Sequence, residues 1–327
     1  MTALGESYDV LFLDLDGTVY RGDAAIPGAR QALSDVSARQ YFVTNNASRT
    51  PATVADHLID LGFHAPVDAV VTSAQSAARL VAEMVDPGSV VLVVGTEALA
   101  EEIRLVGLEP VRRFADAPVA VVQGLTKDVN WEMLAEAALA IRAGAVWVAS
   151  NVDTTLPTER GLLPGNGAIV AALRAATGRE PHIAGKPARP IMDDAVRRSG
   201  GRRPLVVGDR LDTDIEAAHA LGADSLLVLT GVSTAWDVIN APAHRRPTYI
   251  GADLRALHQS PAELRIGPRP AWHVESDGDD VIVEACADAA DVLDGLRAVA
   301  DTAWRIGDLV RLVPRGEAAH RMVTGWR

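Results

Sequence analysis

Residues 8–20 read YDVLFLDLDGTVY, and the reading of this stretch decides the fold. Val10, Leu11, Phe12 and Leu13 form an uninterrupted apolar run, the mark of a strand buried on both faces of a parallel sheet. Asp14 and Asp16 follow two residues apart, and Gly17 and Thr18 then break the strand. Both acids therefore fall where strand becomes loop, at the carboxyl edge where open α/β sheets bind ligands. The competing reading is a strand that ends in an ordinary Asp-Gly turn, because both residue types favour turns.

Beyond this stretch the chain alternates strand and helix. Tyr41-Phe42-Val43 reads as a second strand ending in Thr44-Asn45-Asn46, and Pro51 starts a helix to Leu61 with Thr50 as N-cap. Ala69-Val70-Val71 is a third strand. The βαβαβα order predicts a parallel sheet with right-handed crossovers. Residues 80–182 read as a second α/β unit inserted into the first, with strands at 89–95, 119–124 and 145–150. The loop 151–166 carries too many prolines and glycines for a regular element. Its GNG at 165–167 lacks the Lys-Ser/Thr ending of a P-loop. The first sheet resumes after Pro181: HIAGKP ends in Gly185-Lys186-Pro187, a helix spans 188–199, PLVVGD (204–209) is a buried strand and 211–222 a helix. Strands at 225–230 and 248–253 complete it. From Trp272 two strands around an Asp-Gly turn and a helix from Asp288 to Trp304 read as a small separate unit.

With 327 residues, 48% of them hydrophobic and 23% charged, the chain has the composition of a globular protein of two or three units. The formal net charge of −12, with no dense Lys/Arg stripe, argues against nucleic-acid binding. Cys286 is the only cysteine, which excludes an intramolecular disulfide and a cysteine metal cage. No run approaches a membrane span, and the amino terminus lacks a basic segment followed by an apolar one, so a cytoplasmic protein with no membrane partner is expected.

Four strand ends thus carry polar residues: Asp14 with Asp16, Thr44-Asn45-Asn46, Lys186, and Asp209 with Asp214. Each alone has a plain explanation as turn, cap or solvated charge. Together, in this order, they resemble the haloacid dehalogenase (HAD) superfamily of phosphohydrolases. The likeness is to its class IIA branch, which includes p-nitrophenyl, phosphoglycolate, glycerol-3-phosphate and pyridoxal phosphatases. It rests on DLDGTVY (14–20), TNNASRTP (44–51), SNVDTTLPTERGLLPGNGA (150–168), GKP (185–187) and GDRLDTDI (208–215), and covers about 8–255. The resemblance implies a Rossmann-like three-layer α/β core at 1–79 and 183–258, an α/β cap at 80–182 and a small α+β C-terminal extension at 259–327. A homo-oligomer through the cap or the extension is a further expectation.

The resemblance also implies roles. Asp14 is the nucleophile that forms an aspartyl-phosphate, and Asp16 is the acid that protonates the leaving oxygen and then the base that activates water. Asp14, Asp209 and the Asp16 carbonyl would ligate Mg²⁺, with Asp214 orienting its waters or Lys186. Lys186 pairs with the nucleophile and the phosphoryl oxygens, to which Thr44, Asn45 and Asn46 also donate. Asn151 and Asp153 could meet the substrate or brace their loop, and Arg21 and Arg49 could flank the entrance. A small phosphate ester is the expected substrate. The loop 150–168 has hydrogen-bonding residues but no aromatic one, which favours a small hydroxylated or carboxylated leaving group, as in glycerol 3-phosphate or 2-phosphoglycolate, over a nucleotide or pyridoxal phosphate, and the resemblance to bacterial members of the branch puts glycerol 3-phosphate first. The alternatives are a phosphotransferase sharing the intermediate and a regulatory module with a relict site.

Overall fold

The computed structural model describes residues 2–158, 160–287, 290–307 and 310–326. It divides into two compact units, 1–40 with 201–327, and 41–200.

The first unit holds parallel strands in the order Tyr249–Gly251, Asp224–Val228, Pro204–Gly208 and Val10–Leu13. Leu11 lies beside Leu205 and Leu13 beside Val207, and every residue of Val10–Leu13 is buried, as an apolar run between two helical layers requires. The expected helix at 211–222 starts as a π-turn, Leu211–Ile215, before Glu216–Leu221, and Gly222 closes it in the left-handed conformation.

The tail holds more than the expected hairpin and helix. Trp272–Asp277 and Asp280–Ala285 pair antiparallel, and Arg311–Arg315 adds a parallel third strand before the helix Gly316–Thr324. Pro314 hid this strand, but it lies on the sheet edge, where a missing N–H costs no ladder bond. The helix between them is Val292–Ile306; its expected start at Asp288 lies outside the described residues.

Nor is the tail separate. Leu296, Val299, Ala303, Val281 and Met322 share one apolar core with Leu227 and Ile250 of the larger sheet, with Ile215 of the π-turn and with Val238 of the helix Ala235–Ile239. Arg297 donates to the Ile250 carbonyl (2.7 and 3.3 Å), and Trp304 Nε1 donates to the Val238 carbonyl (2.9 Å).

The second unit holds a five-stranded parallel sheet, in the order His182–Ile183, Val146–Ala149, Ala120–Gln123, Val90–Val94 and Glu109–Val111. Val91 and Val93 pack with Leu99 and Ile103 on one face, while Leu92 and Val94 pack with Ile141, Val170 and Leu173 on the other. The segment after Pro181 thus adds a strand to this sheet, where the sequence reading had the first sheet resume. Two residues are too few to show which sheet they join. Arg39–Thr44 pairs in parallel with Val70–Thr72, and Thr50 caps the helix Pro51–Asp60 as expected.

The loop after Asn151 is likewise more regular than its breakers suggested. Thr155–Thr158 and Gly161–Pro164 form an antiparallel ribbon. Both strands of such a ribbon are edges, so Pro157 and Pro164 fit.

Leu296 is fully buried in the core shared by tail and sheet. Leu296→Ala is expected to lower the unfolding free energy by about 2–5 kcal/mol. Hydrogen–deuterium exchange along a denaturant series should show peptides of the tail and of the strands Asp224–Val228 and Tyr249–Gly251 losing protection in one transition; a separate early transition for the tail would contradict the shared core.

Candidate active site

In the first unit, Asp14 continues its strand, donating its backbone N–H to Val207 O (2.9 Å). The chain then folds back tightly, with Leu15 O accepting from the N–H groups of Thr18, Val19 and Tyr20. Asp16 is exposed. Gly17 has φ +88°, and a Cβ there would lie 2.6 Å from Asp209 Oδ2, so only glycine lets this turn approach Asp209. Thr18 Oγ1 lies 3.5 Å from Asp14 Oδ2.

Asp209 follows the strand Pro204–Gly208 and is fully buried. Its Oδ2 accepts from Val232 N–H at 2.6 Å, and a Cβ on Gly231 would sit 1.8 Å from the same oxygen. Asp214 lies in the π-turn, and its Oδ2 accepts from Arg210 N–H at 3.1 Å. A Cβ on Gly208 would come within 2.2 Å of its carboxyl carbon. Beside it, burial pushes the Asp212 carboxyl up, but the Arg210 guanidinium, hydrogen-bonded at 2.8 and 3.0 Å, offsets this and leaves it below the ordinary value.

Among the described residues, Asp14, Asp209 and Asp214 form the one trio whose ligand oxygens all lie within 4.8 Å of one another. An all-oxygen carboxylate set on two strand ends and the adjoining π-turn suits a hard divalent cation such as Mg²⁺. The glycines at 17, 208 and 231 keep that space clear of side chains. Asp214, expected at one remove from the cation, stands with the other two carboxylates, and the Asp16 carboxylate stands outside the trio.

In the second unit, Thr44 Oγ1 accepts from Asn46 N–H (3.1 Å), while Asn46 Oδ1 accepts from Ser48 N–H and Oγ–H (2.8 and 2.9 Å). The Asn46 Oδ1 is thereby committed to its own turn. Lys186 is buried, 2% exposed, with Nζ donating to Val43 O at 2.9 Å. Asn45 grips its peptide from both sides: Lys186 N–H donates to Asn45 Oδ1 (2.8 Å), and Asn45 Nδ2 donates to Lys186 O (2.9 Å). A Cβ on Gly185 would lie 2.5 Å from Asn45 Oδ1 and from Ser150 O, which explains the glycine before the lysine.

Asn45 Nδ2 also reaches both Asp153 oxygens at 3.2 Å, and Asn151 Nδ2 donates to Asn45 O at 2.7 Å. Asn151 and Asp153 thus both brace Asn45. The Asn45 side chain thus has a structural use that the sequence does not reveal, beyond the donation to phosphoryl oxygens that the resemblance implies. Arg21 donates to Thr230 O at 2.5 Å, and Arg49 is exposed.

Residues 11–109 match the family model described as haloacid dehalogenase-like hydrolase, and 183–257 match a second, HAD-hydrolase-like model. The chain is 55% identical to D-glycerol 3-phosphate phosphatase of Mycobacterium tuberculosis, over 100% of this chain and 96% of that one. It is 38% identical to an acid sugar phosphatase of Staphylococcus aureus, over 79% of this chain and 99% of that one. A glycerol phosphate phosphatase from M. tuberculosis, solved in complex with magnesium, superposes with a TM-score of 0.96 at 56% identity, over 100% of this chain and 99% of that one.

Gly231→Ala drives a methyl into Asp209 Oδ2. It is expected to weaken divalent-cation binding at least about tenfold, roughly the lower end for damaged support around a metal site. Calorimetric titration with Mg²⁺ checks this; wild-type affinity in the variant would remove Asp209 from the cation site.

Proposed function

This chain belongs to the haloacid dehalogenase-like hydrolases and is a phosphatase, and from that premise we propose that it is a Mg²⁺-dependent glycerol-3-phosphate phosphatase. The carboxylate trio of Asp14, Asp209 and Asp214 carries the reading, and the 55% identity to the M. tuberculosis enzyme supports the substrate. Supporting a small hydroxylated leaving group, the loop 150–168 has no aromatic side chain on which a base or pyridine could stack.

Phosphate monoesters resist hydrolysis because an anionic centre repels nucleophiles and the alkoxide leaves poorly, so positioning and charge neutralisation carry the catalysis. Asp14, Asp209, Asp214 and the Asp16 carbonyl would hold Mg²⁺, which would neutralise phosphoryl charge when bound. Asp14 attacks phosphorus and becomes the aspartyl-phosphate. Exposed on the turn after Asp14, Asp16 can reach a leaving oxygen, protonate it, and then take a proton from the hydrolytic water. Lys186 balances the charge on Asp14 and the phosphoryl oxygens, and the Thr44 hydroxyl and Asn45 backbone N–H donate to those oxygens. An ammonium as buried as that of Lys186 calls for anionic company.

The same proposal divides the chain into a catalytic core at 1–79 and 183–258, a cap at 80–182 and an extension at 259–327. The family-model matches end at 257, and the acid sugar phosphatase leaves about a fifth of this chain unmatched, in support of the last boundary. Among the described residues no helix is long and apolar enough to cross a membrane. A cytoplasmic location agrees with a phosphorylated metabolite as substrate and a lone cysteine. Self-association through the cap or the extension stays part of the proposal.

Asp14→Asn should abolish phosphate release with the fold intact by circular dichroism. Asp16→Asn should slow release of glycerol by about 10²–10⁴-fold and of p-nitrophenolate, a better leaving group, far less; equal losses would take Asp16 out of the acid role. In a panel of esters, glycerol 3-phosphate should show the highest kcat/KM. A tenfold preference for pyridoxal phosphate or a nucleotide, about 1.4 kcal/mol of transition-state binding, would overturn the substrate assignment.

A further inference from the structure

The GNG at 165–167 is not a phosphate loop, yet its geometry is specific. Gly165 N–H donates to Thr154 O (2.9 Å), Asn166 Nδ2 to Asn151 O (2.7 Å) and Gly167 N–H to Asp153 O (2.8 Å). Three consecutive residues thereby hold the carbonyls of the 151–154 loop. A Cβ on Gly165 would lie 2.3 Å from Asp153 O, and one on Gly167 would lie 2.1 Å from Val152 O, so any other residue would push the loop away.

Asn166 is itself the middle of a buried amide chain. Trp147 Nε1 donates to Gln123 Oε1 (3.2 Å), and Gln123 Nε2 donates to Asn166 Oδ1 (3.4 Å). Trp147, Gln123, Asn166 and Asn151 are all at most 5% exposed. An indole N–H can only donate and a carbonyl can only accept, so the two ends dictate the orientation of every amide between them. The held loop then meets Asn45 twice, through Asn151 Nδ2 to Asn45 O and through the Asp153 carboxylate to Asn45 Nδ2. Asn45 in turn fixes both polar groups of the Lys186 peptide.

We infer that the GNG turn and the amide chain Trp147–Gln123–Asn166–Asn151 act as a positioning device that sets Asn45 and, through it, Lys186. The inference rests on Lys186 serving phosphoryl transfer, as proposed above. Asn166 and Gln123 touch no reacting atom; they are positioning residues. A misplaced Lys186 ammonium weakens interactions with charge that develops as phosphorus transfers, so the loss falls on kcat rather than on KM.

The test pairs Asn166→Ala with Asn45→Ala in a double-mutant cycle on glycerol 3-phosphate and p-nitrophenyl phosphate. Asn166→Ala should lower kcat by roughly ten- to a hundredfold and change KM by less than about threefold. The double variant should be no slower than Asn45→Ala within about twofold, because one residue acts through the other. Multiplicative losses would overturn the inference.

Hydrogen–deuterium exchange on the full chain supplies a reading that needs no turnover. Asn166→Ala should speed exchange in the peptide around 183–188, where Lys186 N–H is held by Asn45; unchanged exchange would overturn the inference. Should Asn166→Ala not fold, Trp147→Phe removes the anchoring N–H, keeps a ring in the core, and must accelerate the same peptide. A wild-type chain inactive on every ester would overturn the phosphatase proposal while leaving the exchange result decisive for the device.

Discussion

Crowded like charge is the constraint on which this structure turns. Asp14, Asp209 and Asp214 offer carboxylate oxygens within 4.8 Å of one another, and two of the three residues are buried. Such a group repels itself and is costly to desolvate without a cation. The fold holds it by strong local means. Asp14 and Asp209 follow neighbouring parallel strands; the register that sets Leu13 beside Val207 puts Asp14 level with Gly208, one residue before Asp209, so sheet formation brings the two acids close together. Backbone N–H groups of Val232 and Arg210 then donate to Asp209 and Asp214, which stabilises the ionised forms. The glycines at 17, 208 and 231 are the spatial counterpart of those bonds, for each stands where a methyl would strike a carboxyl group.

The second unit solves a different problem with different chemistry. Lys186 is a buried cation, and the groups that hold its peptide are neutral amides. Amides suit that duty because they donate and accept without adding net charge near an ammonium. A carboxylate in the place of Asn45 could accept from Lys186 N–H but could not donate to Lys186 O, and its charge would compete with a phosphate for the ammonium. Asp153 contributes a carboxylate next to Asn45, accepting from its Nδ2.

Much of this was legible in the sequence for a physical reason. A buried parallel strand is an apolar run, and the residue that follows it falls at the ligand-binding edge, so Asp14, Thr44 and Asp209 could be read from local pattern alone. Gly231 and Val232 could not, because they reach Asp209 from a loop remote in sequence whose composition shows nothing of the contact. The GNG was noticed but could only be rejected as a nucleotide loop; its partners at 151–154 become visible once the ribbon Thr155–Thr158 with Gly161–Pro164 folds the chain back. His182–Ile183 shows the limit from the other side, since a two-residue strand has no periodicity to read.

The tail illustrates why apparent independence in sequence differs from independence in structure. Its turns and prolines set it off, yet the strand Tyr249–Gly251 ends the larger sheet, and an edge strand exposes backbone groups that must find partners. Gly251 O accepts from Leu229 N–H on the sheet side, so the alternation of the strand turns Ile250 O outward. Arg297 meets that carbonyl with two nitrogens, while Asp294 holds another at 2.8 Å. Thr248 O receives Ile266 N–H from the connecting segment. A cation whose own charge is balanced by Asp294 can cover an edge carbonyl without becoming an unpaired buried charge. The extension therefore completes the sheet's outer edge as well as its core, and the stability of the strands that carry Asp14 and Asp209 includes the contribution of the last helices.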